Sequence, residues 1–181
     1  MRIRFAFAAF AALLVAGIAA TVRAQMEAAK PAPELKKLDY FLGTWAAEGE
    51  MKGLMGAGGK FSGTNRTAWM EGGFFLVTHS DFHGAMGKGT ETAYMGYDSN
   101  EKVYTYDSFN TMGEADHAKG NVNGDTWIWL SETRTGSQTI KGRLTQRMLS
   151  ATAYNFKFET SADGVTWSTV LEGSDTKKGA R

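Results

Sequence analysis

The chain of 181 residues contains no cysteine. That excludes disulfides, thiol nucleophiles and thiolate metal sites, so stability has to come from packing and backbone hydrogen bonds. Proline is nearly missing: Pro31 and Pro33 stand close together and none follows. Nothing after residue 33 therefore removes a donor from a sheet ladder. Histidine is scarce, limited to His79, His83 and His117. An excess of either charge is lacking as well, since 20 Lys and Arg face 19 Asp and Glu. A chain this close to neutral has no electrostatic reason to seek nucleic acid or an anionic membrane.

Long hydrophobic runs are also absent, except at the very start. Met1-Arg2-Ile3-Arg4 is a short positive segment, Phe5 to about Thr21 is apolar, and Val22-Arg23-Ala24 puts small residues around a cut before Gln25. This three-part layout predicts a cleavable signal peptide over 1–24. The apolar run is at the short end for a membrane span. Export to the periplasm or the exterior is the expectation, with no span left after cleavage and no cysteine for a lipid anchor. Loss of Arg2, Arg4 and Arg23 leaves 17 basic residues against 19 acidic ones. Residues 25–32 are small and polar and read as a flexible lead-in.

What is present afterwards is helix signal once and strand signal many times. Pro33 suits a first helical position and Glu34 the positive end of a helix. Leu35, Leu38, Phe41 and Leu42 recur at helical spacing before Gly43. This predicts a short amphipathic helix of two to three turns. Beyond it, apolar and polar residues alternate in runs of 8 to 12. Ten strands are expected: 44–51, 60–70, 74–82, 90–97, 103–110, 112–119, 126–133, 138–149, 151–161 and 167–176. Asn123-Gly124 is read as a two-residue hairpin turn, with similar signals at Asp163-Gly164 and Asp98–Lys102. Short connections make each strand pair with the previous one. Closing the meander removes its two open edges. The predicted fold is thus all-β, an antiparallel up-and-down barrel of about ten strands over 33–177, with a tail at 178–181.

Strand parity divides the loops between the ends. Connections after even strands are compact, and the helix arrives at that end and can plug it. Connections after odd strands include Lys52–Gly59 and His83–Gly89, both rich in Gly and carrying Met. One closed end and one open end, lined by flexible Met side chains, are expected.

Leu42-Gly43-Thr44-Trp45, directly after the helix, resembles the Gly-X-Trp signature of the calycin superfamily: lipocalins, fatty-acid-binding proteins and nitrobindins. PELKKLDYFLGTW, the later EGG, Gly96-Tyr97-Asp98 and SADGVTW together resemble an exported bacterial family of the DUF1579 type. The resemblance covers about residues 33–176. It implies a barrel able to hold a small apolar molecule, with Trp45 packed inside the closed end. Haem ligation in nitrobindins depends on a histidine near the C-terminus, and residues 118–181 contain none. No cofactor is therefore expected.

The candidate ligand-binding residues are Trp45, His79, Tyr104, Tyr106, Trp127, Trp129 and Arg143. The aromatics recur at period two and would line or fill a lumen. Arg143 and Arg147 share a face and are candidate partners for a carboxylate. His79-Ser80-Asp81-Phe82-His83 places His79, Asp81 and His83 on one face. Strand positions two apart diverge by roughly 6–7 Å, which argues against a metal site. A Gly-X-Ser-X-Gly elbow is absent, and Gly84–Thr90 lacks the spacing of a phosphate loop. Three functions follow. The first is an exported barrel binding a small hydrophobic or amphipathic ligand. The second is a lumen-based isomerase or hydrolase using His79 with Asp81 or His117. The third is a filled barrel acting as a structural or partner-binding module.

Overall fold

The computed structural model describes residues 30–53, 58–84 and 87–179. The expected signal peptide and most of the expected lead-in lie outside these residues, as do Met55 and Met86 of the expected rim and the last two residues of the expected tail.

Apolar residues three apart begin the fold. Leu35, Leu38 and Phe41 are buried on one side of a helix η1 (Pro33–Phe41), with Pro33 at its start. Helical structure was expected here, but η1 is a 3-10 helix along all nine residues. A 3-10 helix turns once every three residues, so positions 35, 38 and 41 line up along it. The i, i+4 pair Leu38–Leu42 that suggested an α-helix is not used, because Leu42 already has extended backbone.

Ten strands follow: β1 (Gly43–Met51), β2 (Gly59–Trp69), β3 (Leu76–Gly84), β4 (Gly87–Asp98), β5 (Val103–Asn110), β6 (Ala115–Asn123), β7 (Thr126–Thr135), β8 (Gln138–Ser150), β9 (Ala153–Ser161) and β10 (Ser168–Lys177). Each pairs antiparallel with its predecessor, and β1 pairs with β10, so the sheet closes into a barrel without a free edge. Closure satisfies the backbone groups that an open meander would leave unpaired.

Three boundaries differ from expectation for physical reasons. β3 and β4 pair as far as Gly84 with Gly87, so the expected long connection His83–Gly89 shrinks to residues 85–86. β6 continues through Gly120 to Asn123 instead of ending at 119. A Cβ on Gly120 would stand 2.3 Å from Trp129, so this glycine is a strand position that an indole lies across, not a turn. The turn after it is Gly124-Asp125, one residue later than read, and only Gly124 has positive φ. That is the arrangement with glycine at the first of two central positions. At Asp98–Lys102 the expected turn is present. Asp98 Oδ1 accepts from the N–H groups of Asn100 and Glu101, at 2.8 and 3.1 Å.

The helix closes the end carrying the even-strand connections. Tyr104 Oη donates to the Glu34 carbonyl at 2.9 Å, and Tyr40 Oη reaches the carbonyls of Ser150 and Ala153, both at 2.9 Å. Trp69 Nε1 donates to Asp39 at 2.9 Å. Beneath the helix lies Trp45, whose indole N–H donates to the Phe41 carbonyl at 2.9 Å. It touches the rings of Tyr40 and Tyr154. The placement implied by the Gly-X-Trp resemblance is the one observed.

Candidate functional site

Register decides which side chains enter the barrel. Trp45 is buried, and its cross-strand partners Asn65 and Lys177 share its face. Following partners around the ring gives the inward set of every strand, and the outward set alternates with it.

The inward set falls into two halves. Towards the helix it is sealed: Leu76, Met95, Tyr104, Trp127 and Trp129 are all buried with Leu35, Leu38, Phe41 and Trp45. Trp127 and Trp129 stack at 5.6 Å with planes 9° apart, Tyr104 meets Trp127 edge-on, and Tyr106 leans on Trp129. Trp127 Nε1 is the one buried polar side-chain atom without a partner among the described residues. Away from the helix the inward side chains Met51, Phe61, Phe82, Ile140, Phe158 and Leu171 remain only half-buried. Towards the odd-strand end, inward apolar side chains thus keep partial contact with solvent.

Polar groups interrupt this lining. Asp175 is 3% exposed and takes a hydrogen bond from Asn65 Nδ2 at 2.9 Å. Burial pushes its carboxyl up to about 6, against hydrogen bonds from Tyr154 and Asn65 that pull it down. Glu91 faces inward between Ser80 and Asn110, and Tyr106 Oη donates to it at 3.2 Å. Burial raises the Glu91 carboxyl, with the charges of Asp116 and Glu114 adding to the effect. Tyr106 and Tyr154 are held well above the ordinary phenol range, first by burial and then by these same acids. Gln146 accepts from Trp129 Nε1 at 2.9 Å.

The aromatic candidates Trp45, Tyr104, Tyr106, Trp127 and Trp129 are thus brought together inside the barrel. Most of them fill its closed half, and Tyr106 reaches the polar belt. His79 and Arg143 are not with them. His79, Asp81 and His83 occupy the outward face of β3 and are exposed. His79 Nδ1 lies 3.2 Å from Thr92 Oγ1, Asp81 pairs with Arg66, and His83 Nε2 lies 2.9 Å from Ser62 Oγ. His117 faces outward on β6, 2.6 Å from Asp107. The reason is parity: position 79 is one residue out of phase with Leu76, Thr78 and Ser80. No histidine faces the lumen, so the geometry gives a His79–Asp81 or His79–His117 pair nothing to act on there. Among the described residues no group of acids and histidines has the arrangement of a metal site.

Arg143 also points outward. Its Nε and a terminal nitrogen both donate to Glu159 Oε2, at 3.0 and 2.9 Å, and its guanidinium lies 4.1 Å from the centre of the Trp167 ring. Lys157 holds the other Glu159 oxygen at 2.9 Å. Arg143 is therefore consumed in pinning the Ser161–Trp167 loop against the wall. Arg147 faces outward too, towards Asp125.

One further concavity lies outside the barrel. An open groove of about 940 Å³ crosses the outer wall of β8–β9–β10–β1–β2–β3, lined by side chains of both charges including Glu48, Lys60, Arg147, Lys157 and Glu172. No sequence signal marks it, because it is built from residues of six strands.

The fold and its interior define a closed ten-stranded antiparallel barrel plugged at one end by a helix. No protein-family model matches the chain, and no curated protein sequence does. Among solved structures, the chain is similar to the crystal structure of Rv2717c from M. tuberculosis, at 17% identity and TM-score 0.60, covering 83% of this chain and 100% of that one. It is also similar to the S-type phycobiliprotein lyase CPES from Guillardia theta, at 6% identity and TM-score 0.52, covering 81% and 93%. At these identities the likeness is one of fold.

Among the described residues no helix is long and apolar enough to cross a membrane. The outer face of the barrel carries charged pairs such as Arg66–Asp81 and Lys119–Glu101. That is the reverse of a lipid-facing barrel, whose outward band is apolar.

Proposed function

We propose that this is an exported barrel that binds a small hydrophobic or amphipathic molecule in its lumen, admitted through the odd-strand end. One observation carries the reading: Phe61, Phe82, Phe158 and Leu171 point inward but remain half-exposed, while Trp45, Tyr104, Trp127 and Trp129 nearer the helix are buried. A barrel stabilised only by its filling would bury such groups, since each buried apolar side chain contributes roughly 1.5–3 kcal/mol. Leaving several wet sacrifices that stabilisation and keeps surface available for a ligand. The helix plug supplies a rigid floor, and Glu91, Tyr106 and Asp175 supply polar partners to orient what enters. Export is the complementary half of the reading and rests on residues 1–24.

The test uses the neutral probes retinol and N-phenyl-1-naphthylamine with the full barrel domain. A probe at about 100 times its Kd stabilises the fold by about 2.7 kcal/mol, visible as a raised melting temperature together with enhanced probe fluorescence. If neither probe changes the melting temperature or its own emission, the lumen is not a binding site and the filled-barrel reading takes its place.

A further inference from the structure

The charge inside the lumen is one-sided. Three acids occupy inward positions, on three different strands: Glu91 on β4, Asp116 on β6 and Asp175 on β10. Among the inward strand positions of the described residues only one is basic. That residue is Lys177, at the closed end, where its ammonium lies 5.2 Å from the centre of the Trp45 ring. Every other lysine and arginine of the strands is on the outward face. The outward set includes Lys60, Arg66, Lys119, Arg134, Lys141, Arg143, Arg147 and Lys157. Arg143 has both Glu159 and the Trp167 ring as partners outside the wall.

A carboxylate entering from the open end would therefore meet carboxylates and no counter-charge. Transferring it from water without a partner is costly, and like charges in a poorly solvated interior add to the penalty. An ammonium or other cationic group meets the opposite situation. Glu91 and Asp116 are half-buried, so they remain reachable from the lumen while partly shielded from bulk solvent. Phe82 stands on the neighbouring strand one inward position beyond Ser80, the cross-strand partner of Glu91, and aromatic faces attract cations. Resting on the lumen-binding reading above, we propose that the ligand is an amine-bearing or otherwise cationic aromatic or amphipathic molecule, held by Glu91 and Asp116, and that the lumen rejects fatty acids and other carboxylates.

Three naphthalene probes that differ in one group test this at pH 8: 1-naphthylmethylamine, 1-naphthalenemethanol and 1-naphthoate. Affinities come from calorimetry, with quenching of the stacked Trp127–Trp129 pair as a second readout. The amine is expected to bind at least about tenfold tighter than the naphthoate, which is the ratio that one favourable charge contact of about 1.4 kcal/mol produces. The alcohol is expected between them. The double variant Glu91→Gln, Asp116→Asn keeps side-chain size, and in it the amine and alcohol are expected to converge to within about threefold. Naphthoate binding as tightly as the amine overturns the proposal, as does an undiminished amine preference in the double variant, which would move the amine to the acidic side chains of the outer groove. If the alcohol binds while the amine shows no advantage, only the charge preference falls. If none of the three binds, the lumen reading falls with it. Should the double variant fail to fold, the comparison of the three probes on the parent protein decides alone.

Discussion

Asp175 shows at the level of one residue how stability and site chemistry diverge. Its carboxyl is held near 6 by burial, against an ordinary value of 3.8. The folded state thus prefers the protonated form between about pH 4 and pH 6, where the unfolded chain is already ionised. The contribution of Asp175 to folding stability therefore falls as pH rises through that window and stays low above it. The penalty at neutral pH is on the order of 3 kcal/mol. Asp175→Asn removes it while leaving an oxygen to accept from Asn65. Urea denaturation should therefore find parent and variant equal near pH 4, with the variant gaining up to pH 6 and a constant gap above. Parallel profiles across pH 4 to 8 would show that Asp175 is not the group responsible. Gly120 makes the opposite point, since here the smallest residue is required by a large neighbour. Gly120→Ala drives a methyl into the Trp129 ring and is expected to cost about 1–3 kcal/mol. A chemical midpoint unchanged by this substitution would mean that the indole moves freely and does not require glycine at 120.

Single elements carry the closure of the barrel. The helix η1 has little of its own to hold it, because a nine-residue 3-10 helix has poor hydrogen-bond geometry. Its stability comes from the three side chains it inserts, from Tyr104 donating to the Glu34 carbonyl, and from its own Tyr40 donating to the Ser150 carbonyl. Leu38, with no exposed surface, is the centre of the plug. Leu38→Ala is expected to destabilise by about 2–5 kcal/mol, the range for deleting a buried leucine side chain. A loss under about 0.5 kcal/mol would show that the plug is dispensable to the fold. The strands themselves were legible because period-two alternation is imposed by the pleat. Their ends were less so. β6 was cut short at Gly120, because glycine was read as punctuation when it was making room for a ring. The β3–β4 connection was read as a long loop, because Gly84, Gly87 and Gly89 interrupt the alternation although their backbones stay in the ladder.

At the scale of the whole molecule, closure through β1 and β10 makes every strand depend on both neighbours. Cooperative unfolding follows, as for most single domains of this size. The tryptophans sit on β1, β2 and β7 and in the β9–β10 loop. Tryptophan fluorescence and far-ultraviolet circular dichroism should give superimposable denaturation curves. A fluorescence transition preceding loss of strand signal would reveal a plug that opens independently. Closure also creates two functional surfaces from one sheet, an aromatic and acidic interior and an exterior of paired charges. The candidate site was half legible for this reason. Tyr106, Trp127 and Trp129, ligand-binding candidates from the sequence, lie in the interior, whereas Glu91, Asp116 and Asp175 carry no sequence signal of their own, although Glu91 lies in phase with Ala93 and Met95.

Sequence alone determined the strand count, the antiparallel order and the helix-plugged end. Those follow from local rules: alternation, turn chemistry, and connections too short for anything but hairpins. The Gly-X-Trp resemblance, not a local rule, implied Trp45 inside the closed end. Only the tertiary structure decided which face of each strand turns inward, because alternation defines two faces without saying which is the inside, and several strands carry aromatics on both. That one choice put the three histidines and Arg143 on the outer wall and the three acids in the lumen, and it is the ring of cross-strand partners, closed on itself, that makes it.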